Sequence, residues 1–297
     1  MPAPLLIADV PWLLYRSYFG LPGSITDGHG HPVNALLGTV NALLAAIEAC
    51  APRAIVACFG AEGAAYRIAL YPAYHAQRPP MPDELRRQWD RAPALLESFG
   101  WTVAGSEELE ADDLMFSYAR AEAAAGARAL LLTGDRDLYQ AVDEHVGILE
   151  LGRGSAPPGE VDAGEVRRRY GVVPAMVPDF IALRGDPSDN LPGAPGIGEK
   201  TARDLLLRHG TLERTLQATI GERPRVAAAL RENAELLRTF RAIATLVLVE
   251  VARPDDAPTD HLAGAQAVEE LGMARLAARL RRLGGGREGR PSADPTA

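Results

Sequence analysis

Four groups of carboxylates carry most of the chemistry in this sequence. Asp9 closes an apolar run, and Glu110, Asp112 and Asp113 stand in Leu-Glu-Ala-Asp-Asp. Asp135 and Asp137 lie in Thr-Gly-Asp-Arg-Asp-Leu, and Asp186 and Asp189 in Gly-Asp-Pro-Ser-Asp-Asn. Each group has an ordinary structural explanation. Acids at a helix start gain ~0.3–1 kcal/mol apiece from the macrodipole, and Asp in a loop makes Asx turns. Jointly those explanations weaken, because converging carboxylates repel and raise one another's pKa unless cations neutralise them. A set of oxygen donors without His or Cys points to Mg²⁺ or Mn²⁺ and away from Zn²⁺. Two such ions ~4 Å apart stabilise the attacking and leaving oxygens in phosphodiester hydrolysis. The acidic set therefore points to a phosphate ester as substrate.

A second feature is Gly-Ala-Pro-Gly-Ile-Gly-Glu-Lys-Thr at 193–201. It approaches a nucleotide-binding P-loop, but Glu199 follows Gly198 where that motif needs Lys, and no strand precedes it. No nucleotide cofactor is expected. What remains is a glycine turn feeding a helix from about Glu199 to His209. Gly196 and Gly198 allow positive φ and close backbone approach. Amides at the turn, with Lys200 and Thr201, suit a DNA phosphate.

These residues need a scaffold, and the hydrophobic pattern supplies one. Leu5–Asp9, Ala54–Phe59 and Ala129–Thr133 read as buried strands, and Asn34–Cys50, Glu84–Phe99 and Asp112–Ala125 as helices. The alternation predicts an α/β fold with a largely parallel sheet, whose function sits at the carboxyl ends of the strands. Tyr71–Pro82 holds Pro72, Pro79, Pro80 and Pro82 and reads as an exposed, irregular excursion. Gly152–Gly159 reads as a hairpin tip. From about Val172 the pattern becomes short helices broken by Gly and Pro, with one strand-like run at Leu246–Val251. The expected organisation is an α/β domain over 1–171, a helical DNA-binding domain over 172–283 and a disordered tail over 284–297. There is no internal repeat.

Composition narrows the class. The chain has 297 residues, 47% of them apolar and 24% charged, the balance of a soluble globular protein. No charge-free apolar stretch reaches the length of a membrane span, and the apolar run Leu5–Tyr15, interrupted by Asp9, reads as a strand and not a signal peptide, so a cytoplasmic protein is expected. Cys50 and Cys58 are too few for a disulfide framework or a zinc site. The net charge of −8 is a poor guide to partners when acids gather at one site and bases elsewhere. Lys200 is the only lysine.

The sequence resembles the 5′-nuclease (flap endonuclease) family, most closely the N-terminal nuclease domain of bacterial DNA polymerase I and its stand-alone relatives. The resemblance runs from about Leu5 to Val251. It is carried by Leu-Tyr-Arg-Ser-Tyr-Phe (14–19), Leu-Tyr-Pro-Ala-Tyr-His-Ala-Gln-Arg-Pro-Pro-Met-Pro (70–82), Leu-Glu-Ala-Asp-Asp (109–113), Thr-Gly-Asp-Arg-Asp-Leu (133–138) and the stretch from Gly185 to Ala202. It implies a central α/β domain with an arch or clamp, a helix–three-turn–helix domain, and a monomer. The implied activity is hydrolysis of DNA near 5′ ends, flaps or junctions with two Mg²⁺ or Mn²⁺ ions, in replication or repair. Asp9, Glu110, Asp112, Asp113, Asp135, Asp137, Asp186 and Asp189 would bind the ions directly or through water. Tyr66–Arg78 would form the arch, Arg16, Arg67 and Arg78 would contact phosphate, and Tyr74 would stack on a base. Gly196, Gly198, Lys200 and Thr201 would hold the duplex, with K⁺ on the hairpin carbonyls.

Three stretches depart from the family pattern. The family has Phe-Asp after strand two, and this chain has Phe59-Gly60. The family's arch reads Tyr-Lys, here Tyr74-His75, and its Asp-Gly-Ser reads Asp9-Val10-Pro11. Losing one charged group near a transition state commonly costs ~10²–10³ in rate. The leading expectation is an active metal-dependent 5′-3′ exonuclease or flap endonuclease, with activity reduced by Gly60 and His75. The rival is a structure-specific DNA-binding protein with a degenerate centre. An RNA-cutting relative of the PIN type is disfavoured by the duplex-binding hairpin.

Overall fold

The computed structural model describes residues 2–285 other than 153 and 155. The α/β part runs β1 (Leu5–Asp9), α1 (Val10–Gly20), α2 (Asn34–Cys50), β2 (Ala54–Cys58), α3 (Ala65–Leu70), α4 (Asp83–Glu97), β3 (Thr102–Ala104), α5 (Ala111–Ala124), β4 (Ala129–Leu132), β5 (Val146–Glu150), β6 (Gly159–Val161) and α6 (Ala163–Tyr170). The helical part follows as α7 (Val177–Arg184), α8 (Glu199–His209), α9 (Leu212–Gln217), α10 (Pro224–Glu232) and α11 (Ala234–Ala244). A last pair, α12 (His261–Glu270) and α13 (Ala274–Gly285), closes the described chain.

The six strands lie in the order β3-β2-β1-β4-β5-β6. All pairings are parallel except β5–β6, the hairpin expected around 152–159. Both faces of the sheet are covered, which is why β1, β2 and β4 read as unbroken apolar runs. The period of two sorts β1 between them: Leu5 and Ile7 join Val56, Met115 and Leu131, whereas Leu6 and Ala8 join Leu36, Ala57 and Leu130. The chain leaves β1 for β2 on one side and returns to β4 on the other. The carboxyl ends of β1 and β4 thus flank the point where the strand order reverses, the usual place for a site in such sheets.

The helical part shares the first apolar cluster, with Phe180, Ile181, Leu205 and Phe240 buried against the sheet face. Three expectations need correction. Leu246–Val251 is not a strand. It crosses α5 as an extended strap whose N–H groups are taken by side chains: Gln140 Oε1 accepts from Leu246 at 3.0 Å, Asp113 Oδ1 from Val247 at 2.9 Å and Ser117 Oγ from Val249 at 3.0 Å. That strap carries α12 and α13 back to the opposite sheet face, where Ala265, Val268, Leu276 and Leu280 join the second cluster. The final helix pair therefore packs apart from α7–α11, with which the sequence reading grouped it. Gly284 and Gly285 end α13, and the rest of the tail expected over 284–297 lies outside the described residues. No helix among the described residues is long and apolar enough to cross a membrane.

Candidate active site

Asp9 sits at the junction of β1 and α1 and serves both elements. Its Oδ1 accepts from the Trp12 backbone N–H at 3.0 Å as the helix cap, and its Oδ2 accepts from Thr133 Oγ1 at 2.7 Å. Pro11 falls in the first turn of α1, where a missing N–H costs nothing, so its departure from the family pattern leaves the helix start intact. Thr133 Oγ1 also accepts from Asp135 N at 2.9 Å, and Asp135 Oδ1 accepts from Asp137 N at 2.9 Å. A relay of hydrogen bonds thus ties the end of β1 to the loop after β4. Asp112 enters from the first turn of α5. Asp186 and Asp189 enter from a tight loop after α7, closed by paired backbone bonds between Asp186 and Leu191.

The charges of these groups are felt mutually. Burial, more than any other cause, pushes the Asp9 carboxyl up to about 6, with Asp135 adding repulsion. Burial and the neighbouring charges of Asp135, Asp9 and Glu110 hold Asp112 well above the usual carboxylate range. Asp137 is held there by burial and by Asp135, Asp189 and Asp186. Asp135 is raised chiefly by burial, against the Asp137 N–H bond that lowers it. Among the described residues, Asp9, Asp112, Asp135 and Asp137 have no cationic partner, and the Asp112 and Asp137 carboxylates accept no protein hydrogen bond. Four half- or fully buried acids with no direct ion pair among the described residues are a donor set that a hard divalent cation fits. No three His, Cys, Asp or Glu side chains among the described residues form a ready-made cage for one ion.

Asp113, expected with this set, is turned away from it. It is fully buried, takes Arg67 Nη2 at 2.8 Å, the Tyr66 hydroxyl at 2.9 Å and the Val247 N–H at 2.9 Å. Neighbouring residues on a helix point about 100° apart, and these three partners hold Asp113 in a different direction from Asp112. Arg67, expected on phosphate, is 3% exposed and is consumed by Asp113, by the Ile243 carbonyl at 3.0 Å and by an ion pair with Glu110 at 3.0 Å. Tyr74, expected to stack on a base, is 4% exposed. Its hydroxyl donates to Glu110 Oε2 at 3.0 Å, and its ring stacks on His75 with centroids 3.8 Å apart. Glu110 is held further by the Ala64 N–H at 2.8 Å.

The expected arch region is short helix α3 followed by turns, docked on the body of the protein. His75 adopts φ +56, with Nδ1 2.9 Å from the Glu62 carbonyl and Nε2 3.0 Å from Asp189 Oδ1. Arg78 Nη2 donates to the same Asp189 oxygen at 3.0 Å while its side chain stays half exposed. Asn190 Nδ2 donates to the Ala73 carbonyl at 2.7 Å. At Gly60 the missing carboxylate has no space: an added Cβ would collide with the Ala111 nitrogen and stand 2.8 Å from Glu110 Cα. Glu110 and Ala111 fill the position that a side chain would need.

The hairpin departs from expectation in one torsion. Gly196 has φ +77, but Gly198 is extended at φ −90 and caps α8, with open space where a side chain would stand. Lys200 is exposed and has no ion-pair partner among the described residues. Sequence reasoning missed the part played by Thr133. Thr133 lay inside a quoted motif, yet only its spatial neighbours reveal it as the link between two acids.

A switch-point cluster of carboxylates on a mostly parallel sheet, beside a helical domain with a glycine hairpin, defines the layout of a phosphodiester-cleaving enzyme that holds DNA. The family model described as 5′-3′ exonuclease, N-terminal resolvase-like domain, matches residues 4–171, and 5′-3′ exonuclease, C-terminal SAM fold, matches 172–259. The chain is 37% identical over 251 residues to the 5′-3′ exonuclease of Mycobacterium tuberculosis, covering 78% of each. It is 35% identical over 252 residues to DNA polymerase I of Pseudomonas aeruginosa, covering 82% of this chain and 27% of the polymerase. Among solved structures, a phage T5 D15 flap endonuclease complex with DNA and metal ions superposes with a TM-score of 0.67 at 16% identity, covering 95% of this chain and 99% of that one. The catalytic core of Rad2 with DNA substrate gives 0.63 at 11% identity, covering 95% and 91%. At such identities these likenesses establish the fold. The chain belongs to the 5′-3′ exonuclease family of DNA-binding nucleases and shares its function on DNA, 5′-3′ exonuclease or flap endonuclease action.

Proposed function

We propose that this chain hydrolyses DNA phosphodiesters near 5′ ends, flaps or single-strand/duplex junctions, with Mg²⁺ or Mn²⁺ as cofactor. The observation that carries the reading is the set Asp9, Asp112, Asp135 and Asp137 at the switch point, with no ion pair among the described residues. Glu110, Asp186 and Asp189 border it, and these seven residues would hold the ions. When bound, the ions supply Lewis acidity to the phosphoryl oxygens and make water a stronger nucleophile. Thr133 keeps Asp9 and Asp135 in register by its two hydrogen bonds. Arg16 and Arg78 meet the phosphates of the strand being cut. Lys200 and the amides from Gly196 to Thr201 meet the duplex, and K⁺ on the hairpin carbonyls belongs to the same reading. Water oxygen bonds to phosphorus as the bond to the 3′ oxygen breaks, leaving a 5′-phosphate and a 3′-hydroxyl.

A second reading rests on Gly60 and His75. One carboxylate position of the family is filled by backbone, and His75 is engaged by Asp189. In that reading the chain binds junction DNA and cuts it weakly or not at all. Cleavage of a 5′-flap substrate in Mn²⁺, with Asp135→Ala alongside, decides between them. Cleavage that the mutant loses supports the nuclease. Binding without cleavage at stoichiometric protein supports the binder.

A further inference from the structure

Trp12 and Arg16 stand four residues apart on α1, and so on one face of the helix. Arg16 Cζ lies 5.6 Å from the centroid of the Trp12 ring. That is within the ~6 Å range of a cation–π contact, for which tryptophan is the best partner. Arg16 is exposed, and no carboxylate among the described residues pairs with it. Arg67, Arg78 and Arg184 at the site are engaged by acids, Arg67 by Asp113, Arg78 by Asp189 and Arg184 by Asp186.

The indole is fixed from several directions. Part of it packs on the second apolar cluster. Its edge rests on Gly134, between Thr133 and Asp135, where an added Cβ would stand 2.6 Å from Cε2 and 3.0 Å from Nε1. Only glycine at 134 leaves that seat open. The Trp12 backbone N–H is bonded to Asp9. The indole N–H has no acceptor among the described residues and is not a buried orphan there, so it reaches solvent. Two such donors thus stand on successive turns of the helix that Asp9 caps, and the indole rests beside the loop that carries Asp135.

We propose that Trp12 is a positioning residue for the DNA strand: seated on Gly134, it holds Arg16 by its π-face where the guanidinium meets a backbone phosphate entering the carboxylate cluster. This rests on the nuclease reading above. An arginine already ordered on an aromatic face loses less side-chain freedom on meeting its phosphate than one free in solvent. A planar guanidinium can stack on the ring and still direct its N–H fork outward.

The test is a double-mutant cycle of Trp12→Leu and Arg16→Ala, read as the dissociation constant of a 5′-flap DNA in Ca²⁺ across a range of salt. Each single change is expected to weaken binding roughly 3- to 10-fold. Arg16→Ala should lower the salt slope by about one phosphate contact, and Trp12→Leu should lower it in the same direction. The double mutant should bind no worse than Arg16→Ala alone, and Trp12→Phe should restore most of the loss. Additive losses, or a salt slope that Trp12→Leu leaves unchanged, would reduce Trp12 to a packing residue and overturn the proposal. Should Trp12→Leu not fold, Gly134→Ala displaces the indole and replaces it in the cycle. Wild-type protein that binds no flap DNA at all would instead overturn the nuclease reading itself.

Discussion

The guanidinium of Arg67 meets the carboxylate of Asp113 at 2.8 Å, with the two side chains 4% and 0% exposed. The pair locks α3 to α5 and, through the Val247 N–H, to the strap that follows α11. Breaking a buried ion pair by removing one partner typically costs ~3–5 kcal/mol, because the other charge is left uncompensated. Asp113→Asn should therefore lose stability by that order while leaving divalent-cation affinity of the folded protein near that of wild type. Urea unfolding and calorimetric titration with Mn²⁺ check both halves. A large loss of Mn²⁺ affinity with unchanged stability would return Asp113 to the metal set.

The Asp9 carboxyl gives a pH-dependent prediction with a definite sign. Its folded value, raised to about 6 chiefly by burial, lies above its unfolded value. The charged form is thus disfavoured by folding. Stability is fully present below the unfolded pKa near ~3.9 and is lost as pH rises through about 6. In EDTA, Asp9→Asn should be more stable than wild type at pH 8, by on the order of 2–3 kcal/mol, and no more stable at pH 3.5. Mn²⁺ should stabilise the wild type at pH 8 and reverse the order. Thermal melts of both proteins with and without Mn²⁺ measure this. Parallel pH profiles of the two proteins in EDTA would sink the idea.

Much of this arrangement is legible in the chain, and the exceptions have physical causes. The buried strands β1, β2 and β4 announce themselves because both faces of each are covered, and α8 begins at Glu199 as its glycine turn and first-turn acid suggest. The edge strand β3 has three residues, too few to show a period. Leu246–Val251 has a strand's composition, but its donors find side chains instead of a neighbouring strand. The acids are legible as types, whereas their directions are not. Asp112 and Asp113 are adjacent in sequence, and only the packing of Arg67 decides which one turns inward. Arg67 and Tyr74 fit a phosphate-and-base reading by type alone. The structure uses them to hold Glu110.

Gly60 shows why a family pattern cannot be restored by one substitution. With Ala111 N and Glu110 Cα in the way, even Gly60→Ala forces the start of α5 off the end of β2. Overpacking of this kind typically costs ~1–3 kcal/mol, occasionally more. Gly60→Asp, alone or with His75→Lys, should lower the melting temperature and fail to raise flap cleavage. A gain in turnover by Gly60→Asp at unchanged stability would show that the α5 start yields easily and that the missing carboxylate limits the rate.

Thr133 offers the most direct probe of how the acids are held. Its hydroxyl donates to Asp9 Oδ2 at 2.7 Å and accepts from Asp135 N at 2.9 Å, and the residue is fully buried. Thr133→Val keeps the shape but removes both bonds, leaving one Asp9 oxygen without its donor and the Asp135 N–H without its acceptor. Hydrogen bonds to charged groups contribute ~1.5–3 kcal/mol, and outer-shell partners of metal ligands commonly change affinity or activity ~10–100-fold. Because the Thr133 bond lowers the Asp9 pKa, its loss should raise that pKa further. The acidic limb of the cleavage profile should then move to higher pH, together with weaker Mn²⁺ binding. Thr133→Ser, which keeps the hydroxyl, should restore the limb. A profile in which Thr133→Val only scales the rate, with no displacement along the pH axis, would mean that Thr133 serves packing and leaves the charge state of Asp9 to its burial.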